Sequence, residues 1–218
     1  MNEGFSRQTE LSVGSIISNG ITIGVKNAAT ILITYLLYSL SSWVPYLNIG
    51  TTIALNDLTP KLARGESISP SYIFEDEYRQ NFGEFFILLG LMLVAILGTL
   101  GTVGASMILA IAWSLAGPLF VDRKMGAIEA LRESNRLTHG NKLTILLASL
   151  VFIILLGIVG AIAAFSESVM IIIIVSLIAI VFVLPVLEGM KAWIYRELTV
   201  GSQDDDDSAE QTEPVPVY

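Results

Sequence analysis

The sequence predicts an all-α fold: a polytopic membrane helical bundle of about six transmembrane segments with interfacial amphipathic helices. Two observations on composition support this class. Hydrophobic residues make up 53% of the 218-residue chain and charged residues only 15%, against roughly 25% charged in ordinary soluble domains. The third observation is several apolar runs close to the ~20 residues that a spanning helix needs. Together they indicate one multi-pass membrane domain.

Composition also divides the chain into three parts and excludes some functions. We expect a flexible N-terminus at 1–9, a helical membrane domain at 10–198 and a disordered acidic cytoplasmic tail at 199–218. The net charge of −8 comes largely from six acids in that tail, so no basic surface for nucleic acid follows. The absence of cysteine excludes disulfides, thiolate metal sites and cysteine catalysis.

The N-terminal part predicts a surface helix that leads into a first span. Residues 10–26 alternate polar and apolar positions, which is typical of an interfacial helix. Gly20 and Gly24 have the spacing that lets membrane helices approach closely, although small residues are also common in such helices without that role. The first span is expected at 28–44. The segment 46–58 is short and only moderately apolar, so it either returns across the membrane or is re-entrant.

A polar connection follows at 59–80, and its second half predicts an interfacial helix with an aromatic face. Asp57 and Lys61 are spaced for an i,i+4 ion pair. The apolar run 85–121 is nearly twice one span, and the glycine-rich stretch 98–104 divides it into two antiparallel helices.

The stretch 122–141, "DRKMGAIEALRESNRLTHGN", predicts an amphipathic helix on the inner membrane surface. Met125, Ile128 and Leu131 recur at spacing three and form its apolar stripe. Two Glu–Arg pairs, 129 with 132 and 133 with 136, lie on the opposite face. Gly140 ends the helix, and Asn141 is placed to cap the next one.

Two more spans are expected, at 143–164 and 169–187, joined by a short turn at 165–168. Trp193 and Tyr195 then fall where an aromatic belt meets the membrane surface. A shift of 67 residues aligns "FFILLG" with "FIILLG" and Pro118 with Pro185. If this repeat is real, the last four spans form two parallel hairpins.

Basic residues predict the topology. With the N-terminus inside and six crossings, the external turns are 45–49, 98–104 and 165–168, and none contains Lys or Arg. By the positive-inside rule, both termini are then cytoplasmic. We expect the membrane to be the cell (inner) membrane.

Few residues could carry chemistry. Glu188, three residues after Pro185, is the best candidate for an unusual acid, with an interfacial ion pair to Lys191 or Lys124 as the alternative. His139 is the single histidine, so a zinc site lacks its further ligands. We therefore expect no cofactor and no metal.

The stretch "PLFVDRKMGAIEALRESNRLTHGNK" resembles a widespread set of prokaryotic membrane proteins. The set includes the YciC-type inner-membrane proteins and the membrane domain attached to some glycerophosphodiester phosphodiesterases. The resemblance covers residues 10–198 and implies a six-helix membrane domain without an established reaction. The candidate motif residues are those of this block together with the last kinked helix: Pro118, Asp122, Glu129, Ser134, Gly140, Asn141, Pro185 and Glu188.

These patterns favour a non-enzymatic integral membrane protein, an envelope or assembly factor that acts through lipid or protein contacts. Its expected partners are the lipid bilayer and either another membrane protein or a second copy of the chain. One alternative is a transporter or lipid-translocating protein. The other is a lipid-modifying enzyme that uses Glu188, Asp122 and His139.

Overall fold

The computed structural model describes residues 11–99, 102–165 and 168–210, and all regular structure there is helical. The all-α prediction is therefore confirmed for the described part of the chain. Two short 3-10 helices, Pro70–Phe74 and Asp76–Arg79, lie between the third and fourth α-helices. The α-helices are α1 Val13–Lys26, α2 Ala28–Ser41, α3 Pro45–Arg64, α4 Phe82–Thr99, α5 Val103–Ala112, α6 Ala116–Asp122, α7 Ala127–Thr138, α8 Lys142–Ala164 and α9 Val169–Glu210.

Three helical stretches are long and apolar enough to cross a membrane: Phe82–Thr99, Ala105–Asp122 and Ile172–Val200. Two bent pairs, α1 with α2 and α7 with α8, raise the number to five at most among the described residues. The predicted count of about six spans is not confirmed.

Two apolar hairpins carry most of the exposed apolar surface. The first is formed by α4 and the stretch Ala105–Asp122, which includes α6, and the second by α8 and α9. The break between α4 and α5 falls inside the predicted stretch 98–104. The rings of Phe85, near the start of α4, and Phe120, in α6, are 5.7 Å apart, so the two arms run antiparallel. Outward-facing side chains such as Val94 and Phe182 are more than two-thirds exposed. Such faces suit a lipid environment, because water would make their exposure costly.

Helices α1 and α2 are bent by 74° at Asn27. Asn27 has φ −108° and ψ 13°, and its amide side chain donates to the Ile23 carbonyl at 2.9 Å. A side chain that bonds the preceding turn favours such a bend. The helix at 10–26 is confirmed as α1, with a capping box at Ser12 and Ser15.

Backbone contact joins α1 to α9 at their crossing. An added Cβ at Gly189 would lie 2.1 Å from the Gly20 carbonyl oxygen, and one at Gly24 would lie 2.3 Å from the Pro185 carbonyl oxygen. Glycine is needed here because only a residue without Cβ lets two helix backbones approach so closely. The close-approach interpretation of Gly20 and Gly24 is confirmed.

Helix α3 contains the segment 46–58, and the return span predicted there is not confirmed, because α3 is not among the stretches long and apolar enough to cross a membrane. Near its start, Gly50 faces the Arg79 side chain, which precedes α4. At its end, Arg64 bonds Asp122, the last residue of α6. The start of α4 and the end of α6 belong to the same end of the first hairpin, so α3 lies across that end. Its buried residues, among them Ile53, Ala54 and Leu58, pack against protein.

We call this region the charged end, defined by α3, the start of α4, the end of α6 and the 3-10 helices. The predicted aromatic interfacial helix at 70–80 is corrected there. Tyr72 and Tyr78 are buried against α3 rather than presented to a membrane. A tyrosine whose hydroxyl finds a protein partner is stable in a core, which a sequence pattern does not distinguish from a membrane belt.

The C-terminal boundary also differs from the prediction. A disordered tail is expected from 199, whereas α9 continues to Glu210. Between residue 199 and Glu210 the chain has no proline that would end the helix. Residues 1–9 and 211–218, to which the other terminal predictions refer, lie outside the described residues.

Candidate functional site

Ser134 connects α7 to the break between α5 and α6. Its side chain is fully buried, its Oγ donates to the Ala112 carbonyl at 2.7 Å, and it accepts from the Leu115 N–H at 3.2 Å. A helix break leaves backbone groups without partners, and burying them unpaired is costly. Ser134 therefore satisfies the two backbone groups that the break exposes.

Gly140 and Asn141 connect α7 to α8 and to the N-terminus. Gly140 has φ 85°, a left-handed conformation that glycine adopts without strain. Asn141 is 6% exposed, and its Oδ1 accepts from the Leu11 N–H at 3.0 Å, just before α1 begins. The predicted end of the helix at Gly140 is confirmed. The contact of Asn141 with a residue so distant in sequence could not be predicted.

Asp122 lies where α3, α6 and α9 meet. One carboxylate oxygen accepts from Arg64 and the other from the Tyr195 hydroxyl. Tyr195 is 3% exposed, so its predicted role in an aromatic belt is wrong: it is a core residue. Pro118, one turn earlier in α6, is also buried.

Glu188 is the most deeply buried acid of the motif, with 3% exposure. Its Oε1 accepts from the Tyr35 hydroxyl at 2.7 Å and from Lys191 Nζ at 2.8 Å. The predicted ion pair with Lys191 is confirmed. Lys124 instead pairs with Glu77 at 2.9 Å. Hydrogen bonds to a buried carboxylate offset its desolvation, and here they tie α2 to α9.

The stripe predicted for α7 is only partly correct. Leu131 is buried, but Ile128 is 63% exposed. The buried face combines two leucines, Leu131 and Leu137, with alanine and hydroxyl side chains. Its other members are Ala127, Ala130, Ser134 and Thr138.

Glu133 bonds Arg136 at 2.7 Å, as predicted for the polar face of α7. Glu129 and His139 are exposed on the same helix or at its end. No hydrogen bond or ion pair among the described residues joins the three candidate catalytic groups, Asp122, Glu188 and His139. Among the described residues, no three His, Asp or Glu side chains are placed to hold a metal ion.

A buried network that the sequence analysis missed links α3 to the 3-10 helices. Asp57 pairs with Lys61 at 2.9 Å, as its spacing predicts, and also accepts from the Tyr78 hydroxyl at 2.6 Å. Lys61 Nζ lies 4.2 Å from the centroid of the Tyr72 ring, a cation–π distance. Burial, with the nearby Asp57 charge, raises the pKa of both tyrosines above the ordinary value. Both therefore stay neutral hydrogen-bond donors.

A cavity of about 600 Å³ opens beside Asp122, between α1, α3, α6 and α9. Four basic side chains line it, namely Lys26, Arg64, Arg123 and Arg196. We call it the basic cavity. With Asp122 as its acid, its lining carries a formal charge of +3. No sequence pattern indicates this group, because its members come from four separate segments.

The basic residues of the cavity differ in how far they are neutralised. Arg64 pairs with Glu66 and Asp122, and Arg123 reaches Glu133 at 3.4 Å. Within the part of the chain that the structure describes, Lys26 and Arg196 form no ion pair. The guanidinium of Arg196 lies 5.8 Å from the Trp193 ring centroid. The cavity therefore has unneutralised positive charge on its α1 and α9 sides.

Comparisons with protein-family models, with curated proteins and with solved structures gave no match to this chain.

Proposed function

We propose that this chain is a non-enzymatic integral membrane protein, an envelope or assembly factor that acts through lipid and protein contacts. The observation that supports the proposal is that the motif residues form hydrogen bonds between helices. Ser134, Asn141, Asp122 and Glu188 each bond a residue of another helix or of the segment before one. Side chains in such contacts stabilise the arrangement of the helices.

The surface supports the same function. The two hairpins present apolar faces that suit lipid, and the charged end presents ionised groups suited to headgroups and to polar partners. In this proposal the charged end lies at the cytoplasmic side of the cell (inner) membrane, together with both termini. The resemblance to YciC-type proteins agrees with such a role and remains part of the proposal.

Photocrosslinking in native membranes tests the proposal. A photoreactive residue at Ile154, on the exposed face of α8, is expected to give lipid adducts. One at Arg132, on the exposed face of α7, is expected to give a discrete protein adduct, either with a second copy or with another membrane protein. Lipid adducts alone at both positions, or no adduct at Arg132, would count against a function through protein contacts.

The enzyme alternative has a separate test. A triple variant, Asp122→Asn, Glu188→Gln and His139→Ala, removes the candidate acids and bases. If the triple variant reaches the membrane in normal amount and keeps both crosslinks, our proposal predicts that it still complements a deletion strain, that is, returns that strain to the wild-type phenotype. Loss of complementation with both crosslinks intact would favour the enzyme.

A further inference from the structure

We propose that the basic cavity binds the phosphate of an anionic phospholipid headgroup. The inference deepens the proposed function, because it names the lipid class that a lipid-contacting protein would select. Lys26 and Arg196 line the cavity and form no ion pair among the described residues, and an anion that enters it gains charge-assisted hydrogen bonds.

The size and place of the cavity fit a headgroup. About 600 Å³ lies within the range of small-molecule sites. The cavity is bounded by the last turns of α1 and α3 and by the C-terminal end of the apolar stretch 172–200 of α9, where Arg196 and Thr199 are polar. Such a position matches the headgroup level of a bilayer, where basic side chains meet lipid phosphate.

Apolar neighbours distinguish a lipid from a free anion. Ile23, Leu62 and Val200 also line the cavity. Val25, next to Lys26, is 63% exposed, and Val200 is 52% exposed. A lipid could place its phosphate among the bases and its glycerol and first methylenes against these side chains. Inorganic phosphate would leave them in water.

The arginines suit this ligand. A planar guanidinium forms two parallel hydrogen bonds to a phosphate, whereas an ammonium acts as a point charge. Arg64 is held in place by Asp122 and Glu66, so part of the site is preorganised. Lys26 and Arg196 supply the charge that these acids do not neutralise.

The test uses the full-length protein in nanodiscs of zwitterionic phosphatidylcholine, into which phosphatidylglycerol is titrated. Binding is followed by native mass spectrometry and by thermal stability. We expect saturable binding of phosphatidylglycerol. The double variant Lys26→Gln, Arg196→Gln should weaken it by about tenfold to a hundredfold, since each of the two charge-assisted bonds is worth about a factor of ten. Arg132→Gln, Lys142→Gln, which removes two basic charges outside the cavity, is the matched control.

Four outcomes would overturn the inference. The first is no preference for phosphatidylglycerol, the second is equal weakening of binding in both double variants, and the third is full retention of binding in the cavity variant. The fourth is equal stabilisation by glycerol phosphate in place of phosphatidylglycerol. The last would assign the cavity to a free phosphate compound. None of these changes the crosslinks at Ile154 and Arg132. Failure here is therefore distinguishable from failure of the proposed function.

Discussion

Substituting Gly189 by alanine tests the helix crossing on which the body of the protein depends. The new Cβ would lie 2.1 Å from the Gly20 carbonyl oxygen and 2.6 Å from the Gly24 backbone nitrogen. Ordinary contact begins near 3.4 Å, so α1 and α9 would have to separate by about 1.3 Å. Backbone atoms cannot turn aside as a flexible side chain can, so the whole contact is disturbed.

The expected cost exceeds the gain from alanine. Overpacking typically destabilises by about 1–3 kcal/mol, while alanine gains about 0.5–1 kcal/mol over glycine in a helix interior. The net loss should be up to about 2.5 kcal/mol, because the second effect partly offsets the first. We expect a lower midpoint in thermal unfolding of the detergent-solubilised protein.

Gly14→Ala is the matched control. Gly14 belongs to α1 but meets nothing within 4 Å, so alanine there should leave stability unchanged or raise it. A second measurement uses the cysteine-free background, with a cysteine pair placed across the α1–α9 contact to report crosslinking in membranes. If Gly189→Ala is as stable as the wild type and crosslinks as well, the close crossing is refuted.

Three further predictions address the motif and the buried network. Ser134→Ala should destabilise by about 1–3 kcal/mol, since the buried Leu115 N–H loses its partner and the Ala112 carbonyl keeps only the longer bond from Thr138 at 3.5 Å. Exposed Ser114→Ala should change the free energy of unfolding by less than about 0.5 kcal/mol, and equal effects of the two substitutions would contradict the bridging role. Asp122→Asn should cost about 1–3 kcal/mol by weakening the contacts with Arg64 and Tyr195, whereas exposed Glu129→Gln should be neutral in the same unfolding assay; a neutral Asp122→Asn would remove its structural role. The raised pKa of Tyr78 means that the folded state favours the neutral phenol, so its contribution is present below about pH 10 and is lost as pH rises above that value. Tyr78→Phe should therefore show a smaller fall in stability above about pH 10 than the wild type or exposed Tyr46→Phe, and identical pH profiles would refute the assignment.

Local patterns predicted much of the fold. Apolar runs located α4, α5, α8 and α9, and the spacing of Gly20 and Gly24 predicted their close helix contact. The i,i+4 spacing of Asp57 and Lys61 predicted their pair. Each of these features depends on residues within one helix or on composition alone, which a sequence displays directly.

The failures share a physical cause. Residues 46–58 are apolar because they are buried in protein, and a sequence does not separate that burial from burial in lipid. Tyr195 has the amphipathic character of a belt residue, yet it lies in the core because Asp122 accepts its hydroxyl. The basic cavity forms only when four separate segments come together in the folded protein, so no local spacing in the sequence predicts it.

The orientation of α3 is the central claim, and single-cysteine accessibility tests it most directly. The chain lacks cysteine, so Trp43→Cys, Thr102→Cys and Lys124→Cys can each be labelled from one side of the membrane. Trp43 is 87% exposed and lies just after α2, whose Ser41 contacts Thr51 of α3 at 3.0 Å. The structure predicts that positions 43 and 124 are labelled from one side and position 102 from the other. Labelling of position 43 together with position 102 would contradict the account and restore α3 as a span.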